Sequence, residues 1–224
     1  MARFDRLTVY NTMLETRLVP LFYHPDLDVA QQVAGALMRG GGRVLEFTNR
    51  GDFAFEVFGP LVKYCAAEHP DLIVGVGSVE DAPTAGLYLA LGANFIVGPN
   101  FNEEVARLCN RRKVAYLPGC GTVTEIARAE EFGAEIVKIF PGESVGGPDF
   151  VKAVRGPRPW TRIMPTGGVT PDEDNLRAWF RAGAACVGMG SNLVRKDWVD
   201  ARDFGAIEDL MRTTLRRIAS IWGA

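Results

Sequence analysis

Histidine and cysteine, the residues that most often bind metals, are scarce in this sequence. Among 224 residues there are two histidines, His24 and His69, which stand apart from each other in the chain. The four cysteines include no Cys-x-x-Cys pair and are Cys65, Cys109, Cys120 and Cys186. Because a zinc site needs clustered ligands, we expect neither a metal nor another cofactor, and we interpret the cysteines as buried, reduced thiols.

A surplus of charge and a long apolar run are also lacking. Lys and Arg number 25 and Asp and Glu number 27, which gives a net charge of -2 and no basic surface for nucleic acid or an anionic membrane. No apolar run approaches the roughly 20 residues that span a bilayer. Residues 1–17 alternate charged and apolar side chains and lack the apolar stretch of a secretory signal. We therefore expect a cytoplasmic protein without nucleic-acid or membrane partners.

What the sequence has in abundance is a repeating alternation of short β-rich runs and helical stretches. Strand, helix and strand at this pace indicate βα units and a parallel sheet. Eight units in a chain of this length predict an α/β fold, the (β/α)8 TIM barrel, rather than an open doubly wound sheet. The eight predicted strands are residues 19–23, 44–49, 72–77, 95–98, 115–118, 136–140, 162–166 and 186–189.

The two ends of the chain extend this repeat. Residues 1–17 predict an extra N-terminal helix, whose apolar side we assign to Phe4, Leu7, Met13 and Leu14. Residues 203–222 predict a closing C-terminal helix with apolar residues at helical spacing. Since no linker or low-complexity segment interrupts the chain, we expect residues 1–224 to form one barrel domain.

Two predicted strands carry charged side chains on the face that should point into the barrel. Side chains alternate along a strand, so Glu46, Thr48 and Arg50 share the face opposite the apolar Leu45 and Phe47. The apolar face should pack against the helices. A carboxylate, a hydroxyl and a guanidinium then face the interior or its mouth, where Arg50 is a candidate ligand for an anionic group.

Lys138 lies on the inward face of the sixth predicted strand by the same alternation. Burial of a lone amine is costly unless the amine is paired or its pKa falls. One interpretation is a structural ion pair with Glu46, or a lysine that extends to water. The other is chemistry, because barrel active sites lie at the C-terminal ends of the strands. A neutral lysine attacks a ketone to form a Schiff base, and a carboxylate nearby can transfer protons.

Glycine clusters follow the seventh and eighth predicted strands. Gly167 and Gly168 follow Thr166, and Gly190 precedes Ser191. Such glycines let backbone N–H groups approach a phosphate closely, although two unrelated tight turns would have the same composition. Ser78 offers a hydroxyl after the third strand, and Pro99 follows the fourth.

Several of these segments, taken together and in order, resemble one enzyme family. The chain resembles the aldolases that act on 2-keto-3-deoxy-6-phosphogluconate (KDPG) and 4-hydroxy-2-oxoglutarate (KHG). The resemblance covers roughly residues 18–196 and rests on residues 43–50, 74–79, 95–99, 117–119, 137–143, 164–169 and 188–191.

The resemblance implies a class I aldolase on a (β/α)8 barrel that assembles as a homotrimer. It implies Lys138 as the Schiff-base lysine and Glu46 as the general acid/base. It further implies a substrate pocket for a phosphorylated 2-keto acid and for pyruvate, with the carboxylate held by Arg50 and Ser78. The other residues that it implies in that pocket are Pro99, Phe140, Thr166, Gly167, Gly168, Gly190 and Ser191.

Two departures from the family pattern stand out. Ser78 occupies a position where threonine is common, and Tyr23-His24 stands where many relatives have an arginine. The resemblance predicts cleavage of KDPG to pyruvate and D-glyceraldehyde 3-phosphate. The alternatives are cleavage of the galactonate epimer or of KHG, a phosphate-binding barrel isomerase, and a non-catalytic trimeric scaffold. Apolar surface on the helix at residues 53–64 would favour the scaffold.

Overall fold

Strand and helix alternate through residues 2–222, the part of the chain that this computed structural model describes. All strands are parallel to their neighbours. The strands are β1 (Leu18–Phe22), β2 (Val44–Thr48), β3 (Ile73–Gly77), β4 (Phe95–Val97), β5 (Ala115–Leu117), β6 (Gly119–Cys120), β7 (Val137–Ile139), β8 (Ile163–Pro165) and β9 (Val187–Met189).

The strands form a closed (β/α)8 barrel, as the sequence predicts. One group runs in the order β5-β4-β3-β2-β1-β9 and the other in the order β6-β7-β8. The groups join where the chain passes from β5 to β6, and again where a bridge links Thr166 to Gly188. The fifth predicted strand is therefore two short segments, which are separated at Pro118 because proline has no N–H to donate.

Helices follow the strands and cover their outer face. Several begin at a side chain that accepts a hydrogen bond from the backbone of the first turn, including Asp26, Asp81, Asn102 and Thr122. The helices are α1 (Arg6–Thr16), α2 (Leu27–Arg39), α3 (Ala54–Glu68), α4 (Ala82–Ala90), α5 (Glu103–Arg112), α6 (Val123–Glu131), α7 (Gly147–Arg155), α8 (Glu173–Arg181), α9 (Lys196–Asp200) and α10 (Phe204–Trp222). Within residues 2–222, no helix combines the length and the apolar character needed to cross a membrane.

The buried apolar residues form two layers, one outside the strands and one inside them. Leu45, Phe47, Val137 and Ile139 pack outward against the helices, as alternation predicts. The interior layer lies at the N-terminal ends of the strands. It contains Val19, Val44, Ile73, Phe95, Val97, Ala115, Leu117, Ile136, Met164 and Cys186.

Helix α1 closes this end of the barrel. Of the four residues predicted for the apolar side of this segment, Phe4, Met13 and Leu14 pack against the interior layer and Leu7 does not. Val9, Tyr10 and Met13 pack onto the interior layer, and the Tyr10 hydroxyl donates to the Tyr116 carbonyl at 3.2 Å. Leu7 is 70% exposed, so its assignment to the apolar side was wrong. It precedes Val9 by two residues, which is about 200° around a helix and therefore on the opposite side.

Candidate active site

Glu46 and Lys138 lie one layer above the apolar interior, on opposite groups of strands. Glu46 is 1% exposed on β2, and Lys138 is 5% exposed on β7. Glycine makes room for the carboxylate, because a Cβ atom added at Gly77 would lie 1.7 Å from Glu46 Oε1. Lys138 pairs in register with Gly119 on β6 and with Met164 on β8. Both charged groups therefore lie inside the barrel, as the strand alternation predicts.

Lys138 and Glu46 are close enough to influence each other but do not form an ion pair. Among residues 2–222, no carboxylate oxygen lies within 4.0 Å of the Lys138 amine. Elsewhere in these residues, 13 contacts within that distance join a Lys or Arg side chain to an Asp or Glu side chain. The Lys138 Nζ lies 4.9 Å from the centre of the Phe140 ring. The structural ion pair, one of the two interpretations of Lys138, is therefore not present.

Burial shifts the pKa values of the two groups in opposite directions. Loss of hydration lowers the pKa of Lys138 below 10.5, and the positive charge of Arg50 lowers it further, while Glu46 opposes the shift. Loss of hydration raises the pKa of Glu46 above 4.5, against the influence of Lys138 and Arg50. Both groups consequently move toward their neutral forms, which are a nucleophilic amine and a carboxylic acid.

Two buried oxygen atoms near these groups lack hydrogen-bond partners in the described chain. They are Glu46 Oε2 and Thr166 Oγ1. Unpaired buried polar atoms are rare and often mark the place of a water or a ligand. Thr166 follows β8, where its hydroxyl lies so close to β9 that a Cβ atom added at Gly188 would be 2.3 Å away.

A cavity of about 610 Å³ opens at the C-terminal ends of the strands. The residues that line it come from the ends of β1, β2, β7, β8 and β9 and from α9. Glu46 and Lys138 lie two residues before the lining residues Thr48 and Phe140 on the same inward faces. Eight predicted site residues line this cavity, namely Thr48, Arg50, Phe140, Thr166, Gly167, Gly168, Gly190 and Ser191.

Ser78 and Pro99 follow β3 and β4 at the same end of the barrel but do not line this cavity. Ser78 has a left-handed backbone, with φ of 59°. Pro99 lies beside β6, the neighbour of the lysine strand β7, because a Cβ atom added at Gly119 would be 2.0 Å from the Pro99 carbonyl oxygen. Gly119, which lies against Pro99, pairs in register with Lys138, so Pro99 is near the lysine. Ser78 directly follows Gly77, which lies against the Glu46 carboxylate.

The loops after β7 and β8 are held together by their backbones. Gly142 N–H donates to the Thr166 carbonyl at 2.8 Å, and Glu143 N–H donates to the Gly167 carbonyl at 3.1 Å. Gly167 and Gly168 have φ values of 90° and 81°, which favour glycine. Both predicted glycine clusters border the same cavity, so they are not unrelated turns.

Sequence reasoning missed three polar residues of the cavity, which are Asn192, Lys196 and Asp200. Lys196 Nζ and Asp200 Oδ2 are 2.6 Å apart. Both residues belong to the short helix that follows β9, and their position just past a barrel strand was the available signal. Cys120 is not a candidate nucleophile, because burial raises the pKa of its thiol to about 12.

Comparison with known proteins adds independent information to this geometry. Residues 9–210 match the model of the aldolase family described as "KDPG and KHG aldolase". The chain belongs to the KDPG and KHG aldolase family. Members of this family are carbon–carbon lyases, and this chain is an enzyme of that class.

Relatives of known name are similar over most of their length. A 2-dehydro-3-deoxy-phosphogluconate aldolase of Pseudoalteromonas atlantica is 34% identical over 91% of this chain and 92% of its own. A KHG/KDPG aldolase of Escherichia coli is 33% identical over 87% of this chain and 89% of its own. The KDPG aldolase of Legionella pneumophila, solved with pyruvate captured as a covalent carbinolamine intermediate, superimposes with a TM-score of 0.83. The Legionella enzyme is 26% identical to this chain, and the superposition covers 91% of this chain and 96% of the Legionella chain.

Proposed function

We propose that this chain is a class I aldolase that cleaves KDPG (2-dehydro-3-deoxy-6-phosphogluconate) to pyruvate and D-glyceraldehyde 3-phosphate, and that Lys138 is its nucleophile. The observation that carries the proposal is the Lys138 amine, which is 5% exposed and has no acidic partner within 4.0 Å among residues 2–222. Burial lowers the pKa of this amine, so a larger fraction is neutral at neutral pH. A neutral amine is the form that attacks a carbonyl carbon.

The first half of the reaction forms the Schiff base. The Lys138 amine adds to the C2 carbonyl carbon of the substrate, and loss of water from the carbinolamine leaves an iminium. The Glu46 carboxyl group supplies and removes the protons of these steps, directly or through one water in the gap between the two side chains. Burial raises the pKa of Glu46 above 4.5, which favours the protonated form that supplies a proton in these steps.

The second half breaks the carbon–carbon bond. Glu46 removes the proton of the C4 hydroxyl, the C3–C4 bond breaks, and its electron pair moves into the iminium to form an enamine. The aldehyde leaves as D-glyceraldehyde 3-phosphate. The enamine takes a proton at C3, and water then hydrolyses the resulting iminium to release pyruvate and restore the lysine amine.

The remaining predicted site residues bind the two ends of the substrate in this proposal. Arg50, Thr48 and Ser78 hold the carboxylate beside the reacting carbonyl, which Pro99 and Phe140 flank. The distal hydroxyl and phosphate are held by Thr166, Gly167, Gly168, Gly190 and Ser191. The guanidinium of Arg50 suits a carboxylate, and the glycines expose backbone N–H groups to a phosphate.

We extend the proposal to the organisation of the protein. The whole chain, residues 1–224, forms one barrel domain, and three copies assemble as a homotrimer. The enzyme acts in the cytoplasm, which agrees with four free thiols at Cys65, Cys109, Cys120 and Cys186.

Chemical trapping tests the nucleophile. Borohydride added with pyruvate should reduce the Schiff base and attach one reduced pyruvate to the peptide that contains Lys138, as read by mass spectrometry. Lys138→Met should trap nothing and should lose essentially all KDPG cleavage. Lys152→Met removes an exposed lysine of α7 and should behave as wild type. Label on another lysine, or full turnover by Lys138→Met, would refute the mechanism.

The alternative substrates are distinguished by comparing kcat/KM for their cleavage. Both alternative substrates share the pyruvate half of KDPG. KHG lacks the phosphorylated end and so tests the distal subsite, whereas the galactonate epimer differs in configuration at C4 and tests how the C4 hydroxyl is held. We expect kcat/KM to be highest for KDPG. A higher value for KHG or for the epimer would reassign the substrate, and the absence of pyruvate release from all three would favour the scaffold.

A further inference from the structure

The loop after β1 forms one wall of the cavity and carries a histidine. Tyr23 and His24 line the cavity, and His24 is half-buried. β1 lies between β9 and β2 in the sheet. A Cβ atom added at Gly190 would lie 3.0 Å from Leu21 Cδ1, so this loop leaves the barrel beside the turn at Gly190 and Ser191.

A backbone hydrogen bond fixes which nitrogen of His24 carries the proton. The Asp26 N–H donates to His24 Nδ1 at 3.1 Å. Asp26 is itself fixed as the first residue before α2, where its carboxylate accepts from the Val29 N–H at 3.0 Å. The Asp26 carbonyl oxygen also lies 3.4 Å from Nδ1, but the N–H contact is the shorter of the two. We therefore assign Nδ1 as an acceptor, which in the neutral ring leaves the proton on Nε2. No acceptor within residues 2–222 pairs with this Nε2.

The other cation on this side of the cavity is already partnered. Lys196 on α9 forms an ion pair with Asp200, whose carboxylate also lines the cavity. An ion pair between Arg202 and Asp28 joins the end of this segment to the first turn of α2. The loop of His24 and helix α9 thus form one continuous rim, on which the His24 Nε2–H is a nitrogen donor without a partner among residues 2–222.

We propose that His24 is a specificity-determining residue, whose Nε2–H donates a hydrogen bond to the distal phosphate of the substrate. The proposal rests on the proposed function for the identity of the substrate. In this proposal the phosphate of a six-carbon keto acid bound to Lys138 extends to the rim, whereas KHG ends at the carboxylate bound to its C4. His24 therefore favours the phosphorylated substrate over the short dicarboxylate and takes no part in Schiff-base formation.

Nitrogen chemical shifts of the imidazole test the contact in the unmodified protein. The chain has two histidines, so His69 on the far side of α3 is an internal reference. The probe is 3-phosphoglycerate, which has the phosphorylated three-carbon end but no ketone for Lys138 to attack; the matched control is glycerate. We expect 3-phosphoglycerate to shift the His24 Nε2 signal and glycerate to leave it unchanged. No shift at saturating 3-phosphoglycerate, or an equal shift with glycerate, would overturn the proposal.

Two variants distinguish the effect of losing the Nε2–H donor from the effect of disturbing the loop. His24→Asn places an amide near Nδ1 and retains an acceptor for the Asp26 N–H, whereas His24→Gln places an amide N–H near the position of Nε2. Hydrogen bonds to charged groups contribute roughly 1.5–3 kcal/mol. We expect His24→Asn to raise KM for KDPG about tenfold with little change in kcat, and His24→Gln to recover most of this loss. KHG cleavage and pyruvate trapping should stay at wild-type values in both variants.

The outcomes distinguish this inference from the proposed function. An unchanged KM in His24→Asn, an equal loss toward KHG, or a His24→Gln variant no better than His24→Asn would reject the role of His24. If the wild type forms no pyruvate adduct and cleaves no KDPG, the proposed function fails. The chemical-shift experiment then still decides whether His24 binds a phosphate.

Discussion

At the scale of single residues, the same burial acts on Glu46 and Lys138 with opposite consequences for their charge. Burial raises the pKa of Glu46 and lowers the pKa of Lys138. The neutral carboxylic acid and the neutral amine are therefore more populated than they would be in water. An ion pair would hold both in their charged forms. Burial, together with the absence of an ion pair, therefore favours the neutral and nucleophilic form of the lysine.

The role of Glu46 is tested by comparing the pH dependence of kcat/KM in the wild type and in a variant whose side chain cannot ionise. The carboxylate form is the base, and because burial raises its pKa above 4.5, wild-type kcat/KM should fall at a pH above 4.5 as the solution is acidified. Glu46→Gln should lower kcat about 100-fold or more and change this acid limb, leaving only the part that protonation of Lys138 causes. Glu56→Gln, on the exposed surface of α3, should retain both the rate and the limb. An unchanged limb in Glu46→Gln would exclude Glu46 as the titrating group.

The sequence was sufficient to predict which residues of these strands face inward. Leu45 and Phe47 on one strand, and Val137 and Ile139 on the other, mark the outer faces by simple alternation. It was not sufficient to predict the distance between Glu46 and Lys138, because that distance depends on barrel closure. The pairing of Lys196 with Asp200 also escaped prediction, since a short helix after β9 has no periodic pattern of its own.

At the scale of elements, α1 shows how a helix can be predicted correctly while one residue, Leu7, is assigned to the wrong side. The sequence predicts a helix within residues 1–17, and the structure has one at Arg6–Thr16. Val9, Tyr10 and Met13 are buried against the interior layer, and the partly buried Phe4 and Leu14 also pack against it. The buried side of a helix that closes a barrel depends on contacts with residues that are distant in sequence. The pattern of the helix alone therefore does not predict every buried residue.

Two truncations on α1 test this assignment. Met13 is fully buried, so Met13→Ala should lower the free energy of unfolding by about 2–5 kcal/mol. Leu7 is 70% exposed, so Leu7→Ala should change it by less than about 0.5 kcal/mol. Urea unfolding followed by circular dichroism measures both values. Equal losses in the two variants would mean that α1 packs on another side.

At the scale of the whole molecule, two aromatic side chains remain exposed next to the site. Phe53 is 66% exposed, Phe55 is 39% exposed, and their ring centres are 6.4 Å apart. They follow Arg50 by three and five residues, at the start of α3. Full burial of such a side chain contributes about 1.5–3 kcal/mol, which favours contact with another copy of the chain. The proposed trimer would then cover the loop that carries Arg50.

Disruption of this aromatic surface should therefore affect both assembly and substrate binding. Light scattering of the wild type should give three times 24.5 kDa, and the Phe53→Asn, Phe55→Ser double variant should give the mass of one chain. Asparagine is chosen because Phe53 has a φ of 61°, a left-handed conformation that asparagine tolerates. KM should rise in the monomer, because the loop of Arg50 loses its support. Trp160→Ser, at a residue 64% exposed beyond α7, should leave mass and KM unchanged. If the double variant remains a trimer with an unchanged KM, the subunits meet through a different face and assembly does not support Arg50.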